Sequence, residues 1–458
     1  MSIRLPERLL VMPRMKQLVD SEVVEGYRAG HWLHGRSMCC WLGMLMVSVG
    51  LSSAAEAEDW PEFRGPNAQG VYEARTLPLN WTKTEGVKWR TELPGSGWSS
   101  PVVVGNSIYL TAAVATDGSE VSPSGNQDLD LVLLRVDATS GELLSTCKLL
   151  KQIGAKAPGI HQKNSHASPT PIVKDGLVYL HFGHQGTVCT DMDGKVTWST
   201  TELAYPPVHG NGGSPVVVGE LLIFSRDGAD VSRVTALNKS TGKVVWERER
   251  DVVADKKFSF CTPLVLFAAG RTQLILPGSN VVQSLAPETG DEIWRVTYDG
   301  YSVIPRPIYA GGLVLVCTGY NRPSMLAIDP TGSGDVTATH LKWKSDVNVP
   351  HTPSLLSRDG MIFMVNDKGI ASGVDLATGK EVWKERIGGN FSASPLLIGD
   401  RMYMLSEEGD ATVLQVGAEP KELAKNRLGE RCLASPAIVE DDLLIRSAAA
   451  LYRISGRK

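Results

Sequence analysis

"ASGVDLATGKEVW", residues 371–383, reads as a β-strand of small and apolar residues, a tight turn at Thr378-Gly379 and a second strand ending at Trp383. The phrase returns as "VTALNKSTGKVVW", ending at Trp246, and as "VQSLAPETGDEIW", ending at Trp294. A shorter form, "TDMDGKVTW", ends at Trp198, Trp343 follows a longer turn, and in "RVDATSGELLS" Ser145 stands where the tryptophan would be. Upstream of these lies a second recurring phrase: a small residue, a proline, an apolar run, a turn residue and another apolar run. Its prolines are Pro101, Pro169, Pro215, Pro263, Pro307, Pro353, Pro395 and Pro436, at intervals of 68, 46, 48, 44, 46, 42 and 41 residues. Four strands per unit of about 40–48 residues is the pattern of a propeller blade, so eight prolines predict eight blades. The long first interval holds two polar insertions, "ATDGSEVSPSGNQDLD" and "LLKQIGAKAPGIHQKN".

The chain ends test that count. After Pro436 only three strands follow, ending at "ALYRIS". "VKWRTEL", residues 87–93, places Trp89 twelve positions before Pro101, the same step that separates Trp383 from Pro395. This segment is therefore expected to complete the last blade and remove two free sheet edges. The expected fold is all-β: an eight-bladed β-propeller with four-stranded blades over 87–458, closed by an N-terminal strand. An extension over 58–86 is expected to pack on the ring through Trp60 and Phe63.

Composition agrees with many short strands, since the 458 residues include 46 glycines and 26 prolines and 42% are apolar. A net charge of −4 gives no field for a nucleic acid partner. Arg28, His34 and Arg36 precede an apolar run over 38–51 and then small residues, the pattern of an export leader over 1–57, cut after Ala55 or Ala57. The run is short for a membrane span, so no stable membrane insertion is expected after cleavage, and the location expected is periplasmic or secreted. Cys147, Cys189, Cys261, Cys317 and Cys432 then remain, an odd and scattered set that makes no disulfide framework.

The A-x-D-x-x-T-G-K-x-x-W arrangement resembles the PQQ-like quinoprotein repeat, shared by PQQ-dependent alcohol dehydrogenases and by BamB, the outer-membrane assembly propeller. "LATGKEVW", "KSTGKVVW" and "PETGDEIW" carry the resemblance, which covers roughly residues 87–455. It implies that Trp246, Trp294 and Trp383 pack over the glycine turn of a neighbouring blade. The quinoprotein dehydrogenases carry an adjacent cysteine pair beside the cofactor, whereas the only such pair here, Cys39-Cys40, lies in the leader. The leader has no cysteine at its cleavage site, which implies a soluble protein rather than a lipoprotein.

In an antiparallel blade, the loop leading into the innermost strand and the loop joining the second and third strands share one face. The loops of that face carry Trp98, His161, Lys163, Asn164, His166, His184, His209, Asn211, Arg226, Asp227, Tyr301, Arg306, His351, Asn390, Phe391 and Arg431 as candidate ligand-binding residues. Aromatic walls with a few converging polar groups make a ligand site, although loop polarity also serves to satisfy backbone groups. His161 and His166 have a ligand-like spacing but no third metal ligand, so no metal site is assigned. Two functions follow. The first is an exported, non-catalytic binding or scaffold propeller resembling BamB, monomeric, with an envelope protein or a small molecule as partner. The second is a PQQ-dependent oxidoreductase with PQQ and calcium as cofactors. There Trp98 or Phe391 would sandwich the quinone, Arg306, Arg431 and Lys163 would meet its carboxylates, and Asp227 would be the base.

Overall fold

The computed structural model describes residues 59–72, 77–123 and 125–456, and the leader expected over 1–57 lies outside them. Eight sheets radiate from a central channel, with inner strands beginning at Val102, Ile172, Val216, Leu264, Ile308, Leu356, Leu396 and Ala437 (blades 1 to 8). Within each blade successive strands are antiparallel. Second strands such as Leu313–Cys317 are buried almost throughout because blades cover both faces, whereas the outer strand Val87–Glu92 alternates half-buried and exposed positions. Gly334–Asp335, on the long turn before Trp343, adds a parallel fifth strand to blade 4.

The ring closes as the terminal sequences require. Val87–Glu92 pairs antiparallel with Ala450–Ile454, Trp89 opposite Arg453, and supplies the outer strand of blade 8.

Tryptophans lock five of the blades to the next. The indole N–H groups of Trp89, Trp198, Trp246, Trp343 and Trp383 donate to the carbonyls of Ala138, Lys239, Pro287, Leu376 and Gly417, each in the following blade, at 2.8–3.0 Å. The rings of Trp89, Trp198, Trp246 and Trp343 also lie on Gly141, Gly242, Gly290 and Gly379, where an added Cβ would come within 2.4–2.7 Å. Trp294 differs: it is fully buried and donates to Gln273 of its own blade. Ser145 does occupy the tryptophan register, opposite Arg135, and Cys147 two residues on covers Gly194 instead.

The residue two positions ahead of each inner strand also has a physical role. Ser100, Thr170 and Ser214 donate their backbone N–H to the hydroxyls of Thr170, Ser214 and Thr262 in the next blade. Arg306, Ser354 and Ser394 do the same to Ser354, Ser394 and Ser435. A belt of hydroxyls thus joins the mouth ends of the inner strands. The residue directly ahead of the inner strand is Pro171 in blade 2 and Leu355 in blade 6, so Pro169 and Pro353 sit two positions upstream of the register of the other six.

The belt is interrupted at blade 5, where Arg306 replaces the hydroxyl and holds the N-terminal segment through the Phe63 carbonyl and Glu62. Trp60 bridges Val103 of the blade 1 inner strand, the Pro61 carbonyl accepts from Val173 of blade 2, and Val71–Tyr72 runs parallel to Leu396–Ile398 of blade 7. Between them the chain reverses through Arg64 and Gly65, at φ 71 and 81°, with Trp60 packed on Gly65. Both ends lie beside first-to-second-strand turns: the Asp59 carboxylate accepts from Gly105, and the Tyr72 carbonyl from Gly399. Residues 59–72 therefore form a hairpin plug that enters and leaves by the face opposite the mouth.

Candidate functional site

The mouth is built around an unbroken arc of six rings. His161 meets His209 at 5.7 Å between centroids, His209 meets Phe258 at 5.3 Å, and Phe258 meets Tyr301 at 5.7 Å. Tyr301 then meets Tyr320 at 5.7 Å and Tyr320 meets His351 at 5.6 Å. The rings come from the loops of blades 2, 3, 4, 5 and 6, with Phe258 of blade 4 buried beneath the others at 9% exposure. These spacings and the mostly tilted or edge-on planes are those at which aromatic pairs attract. Lys256 stands over Tyr301 at 4.1 Å from the centroid and donates to its hydroxyl at 2.9 Å. Tyr320 is 57% exposed, an unusual position for so large a ring unless a partner covers it.

The other side of the mouth is bridged by the loop "HQKNSHA". Lys163 forms an ion pair with Glu407 of blade 7 at 2.6 Å, and Arg431 of blade 8 donates to the Gln162 carbonyl at 2.9 Å while lying 5.8 Å over Trp98 of blade 1. Asn164 braces the loop, donating to the His209 carbonyl and accepting from Ser165 and Ser168. The two polar insertions lean on each other behind it, Ile160 donating to the Pro123 carbonyl.

The structure brings Trp98, His161, Lys163, His209, Tyr301, His351, Asn390 and Arg431 to the mouth. Asn390 is tied to Glu408, and the backbone of His351 to Asp367. The remaining candidates serve the scaffold. His166 is buried, and Asn211 donates to the His184 ring at 2.9 Å while accepting from Tyr205. Arg226 bonds Thr235, the Leu203 carbonyl and Glu247. Asp227 has a fully buried partner in Arg250. Arg306 holds the plug through the Phe63 carbonyl and Glu62, and Phe391 is a core residue at 1% exposure. Tyr320, in the loop "GYNRPS" of the same face, joins the arc, and Phe258 and Lys256 complete it without having been singled out by sequence, although both lie in the loop "KKFSFC" whose aromatic content is visible there.

Burial sets the titration of the histidines behind the arc. His181, whose ring lies 4.1 Å from Phe224 and bonds Thr187, is pushed down to about 3 by desolvation, with Arg226 and His184 adding repulsion. His184 is pushed down to about 4 by desolvation, against the Asn211 hydrogen bond and with His166 repelling. Both stay neutral in the fold while the unfolded chain takes up protons below about pH 6.5. Stability from these two groups is thus fully present above pH 6.5 and lost as pH falls toward 3–4. We expect the melting temperature to fall over that range and the fall to be shallower in His181→Gln, as calorimetry across pH would show.

Comparison with known proteins gives the family. The family described as outer membrane protein assembly factor BamB matches residues 130–385 and 334–422. The chain belongs to that BamB family. No curated protein sequence matches it. Among solved structures, BamB from Moraxella catarrhalis is similar over 80% of this chain and 99% of its own, at 12% identity and a TM-score of 0.55. A europium-containing methanol dehydrogenase is similar over 86% and 90%, at 11% identity and a TM-score of 0.62. The quinohemoprotein alcohol dehydrogenase ADHIIG from Pseudomonas putida HK5 is similar over 87% and 81%, at 12% identity and a TM-score of 0.57. At such identities these likenesses describe the fold, which hosts unrelated functions.

The dehydrogenase neighbours make a quinone and its metal worth testing against this BamB-family mouth. Of the residues assigned to them, Trp98 and Arg431 reach the mouth, and the others are engaged elsewhere. Arg306 is engaged by the plug, Lys163 by Glu407, and Asp227 is sealed against Arg250. Among the described residues no cluster of three His, Cys, Asp or Glu side chains is placed to hold a metal ion.

Proposed function

We propose that the chain is an exported binding propeller of the cell envelope that holds a segment of a partner protein across its mouth, against the arc from His161 to His351. The observation that carries this is the arc itself: six rings in contact, supplied by five blades, above a channel closed from the other side. Aromatic side chains present large contact area at low entropic cost and are enriched at protein interfaces. The carboxylates around the arc are held by local partners, Glu407 by Lys163 and Ser392, and Asp367 by His351 and Thr352, an arrangement for shape rather than proton transfer. BamB-family membership and the leader pattern support the envelope setting.

The test is photo-crosslinking of the exported protein in cells, with the probe at His209 at the mouth or at Ser240 on a turn of the opposite face. A partner captured from the mouth alone is expected. Binding of that purified partner should weaken about 10-fold or more in Tyr320→Ala, the loss typical of a central aromatic anchor. Capture from Ser240 alone, or unchanged affinity in Tyr320→Ala, would remove the mouth from the function. A rise in melting temperature with PQQ and calcium would restore the quinone-binding role.

A further inference from the structure

Neighbouring clefts of the ring repeat one register, so a filled cleft shows what its neighbour lacks. Between blades 7 and 8 the Glu430 carboxylate accepts from the hydroxyls of Ser447 and Tyr452, each at 2.6 Å, and from Arg90 at 3.4 Å. Arg90 also donates to the Tyr452 hydroxyl at 2.9 Å. Between blades 6 and 7 the matching positions are smaller. Ile387 and Phe391 donate to the carbonyls of Gly369 and Asp367 as Leu428 and Cys432 do to those of Gly409 and Glu407, so Gly389 stands where Glu430 does. Thr412 pairs with Lys425 as Tyr452 pairs with Arg90, and the Ser406 hydroxyl accepts from the Asp410 N–H as Ser447 does from Ala450.

These exchanges leave a cavity of about 310 Å³, at the lower end for a small-molecule site, with Ile387, Phe391 and Ala411 as apolar walls and Ser406, Thr412 and Lys425 as donors. Thr412 is 6% exposed, and its hydroxyl has no hydrogen-bond partner among the described residues. Ser372, at the same position in blade 6, also lacks a partner but is sealed at 0% exposure. Gly389, at φ 79°, has a backbone that side chains rarely adopt, so the chain does not fill this space itself. The carboxylates at the rim, Asp410 and Glu408, are held by Arg427 and Asn390, while Lys425 has the exposed Glu422 as its partner, a pairing that water weakens.

We propose that this cavity binds a small aromatic carboxylate of the size of benzoate. Its carboxylate takes the part that Glu430 plays in the next cleft, accepting from Ser406 and Thr412 beside the Lys425 ammonium, and its ring takes the part of the Tyr452 ring, against Ile387 and Ala411. The site shares no residue with the arc and does not depend on the proposed partner.

Saturation-transfer NMR and calorimetric titration of the exported protein with benzoate, 4-hydroxybenzoate and benzamide test it. The two carboxylates should bind about 10-fold or more tighter than benzamide, which has the shape without the charge. Thr412→Val should weaken benzoate about 10-fold, Thr412→Tyr, which installs the blade 8 residue, should block it, and Tyr320→Ala should leave it unchanged. No binding of benzoate at millimolar concentration, benzoate no tighter than benzamide, or unchanged affinity in Thr412→Val would overturn the site. So would a loss in Tyr320→Ala, which would move the ligand to the arc. If Thr412→Tyr does not fold, Thr412→Val, equal in size to the native residue, still decides.

Discussion

Replacing Asp227 by Asn is expected to destabilise the protein by about 3–5 kcal/mol, the loss seen when one member of a buried ion pair is removed. Both side chains of the Asp227–Arg250 pair are fully shielded, and the contact is bidentate, Nε to Oδ1 at 2.9 Å and Nη2 to Oδ2 at 2.8 Å. Arg250 also donates to the Leu276 carbonyl of blade 4, and Gly278 makes room for it, since a Cβ there would lie 2.7 Å away. The pair therefore joins blade 3 to blade 4, and Asp227→Asn leaves a guanidinium stranded between them. Urea unfolding measures the loss as a lowered midpoint at constant slope. An apolar double replacement, Asp227→Leu with Arg250→Met, should recover much of it, because then no charge is left unpaired. An Asp227→Asn protein as stable as the wild type would mean that the carboxylate is free for chemistry, as a catalytic base would have to be.

How far the sequence was legible follows from the range of the interactions. Repeats are local and periodic, so the tryptophan phrase and the small-residue-proline phrase specified the blades, and counting strands at the two termini specified the closure. The plug has no period: it is 14 residues whose partners, Val103, Val173, Arg306, Leu355 and Leu397, are scattered over five blades. No local pattern announces such pairings, although Arg306 standing where the other blades have hydroxyls, and Leu355 where they have proline, are marks of it in hindsight. The candidate site was legible to the level of the loop but not of the side chain. Asn390 and Phe391 are neighbours in the loop between Arg386 and Leu396, yet Asn390 bonds Glu408 at the mouth while Phe391 enters the core, a difference set by long-range packing and not by a local period. Arg226 and Asp227 end the strand Leu221–Asp227 of blade 3, and alternation sends Arg226 toward the Leu203 carbonyl and Asp227 to the opposite face, toward Arg250.

Trp89→Ala is expected to cost about 3 kcal/mol or more, at the lower end for an aromatic truncated to alanine because the indole is only part-buried. The ring covers Gly141 of blade 1, where a Cβ would lie 2.6 Å from it, and its N–H donates to the Ala138 carbonyl at 3.0 Å. That carbonyl also receives Arg453 of blade 8 at 2.7 Å, so the two ends of the chain and the first blade converge on one acceptor. Trp246→Ala removes a like contact between blades 3 and 4 but leaves the chain continuous there. Trp89 instead stands on the strand Val87–Glu92, whose pairing with Ala450–Ile454 inside blade 8 is held by hydrogen bonds with no loop joining the two strands. The particular signature of Trp89→Ala is expected in hydrogen exchange: the amides of Val87–Glu92 and Ala450–Ile454 should lose protection together, opening as one unit ahead of the other blades. In Trp246→Ala these amides should keep wild-type protection. If Trp89→Ala costs less than about 1 kcal/mol, or leaves exchange at the seam unchanged, then strand pairing alone closes the ring and the indole is dispensable to it.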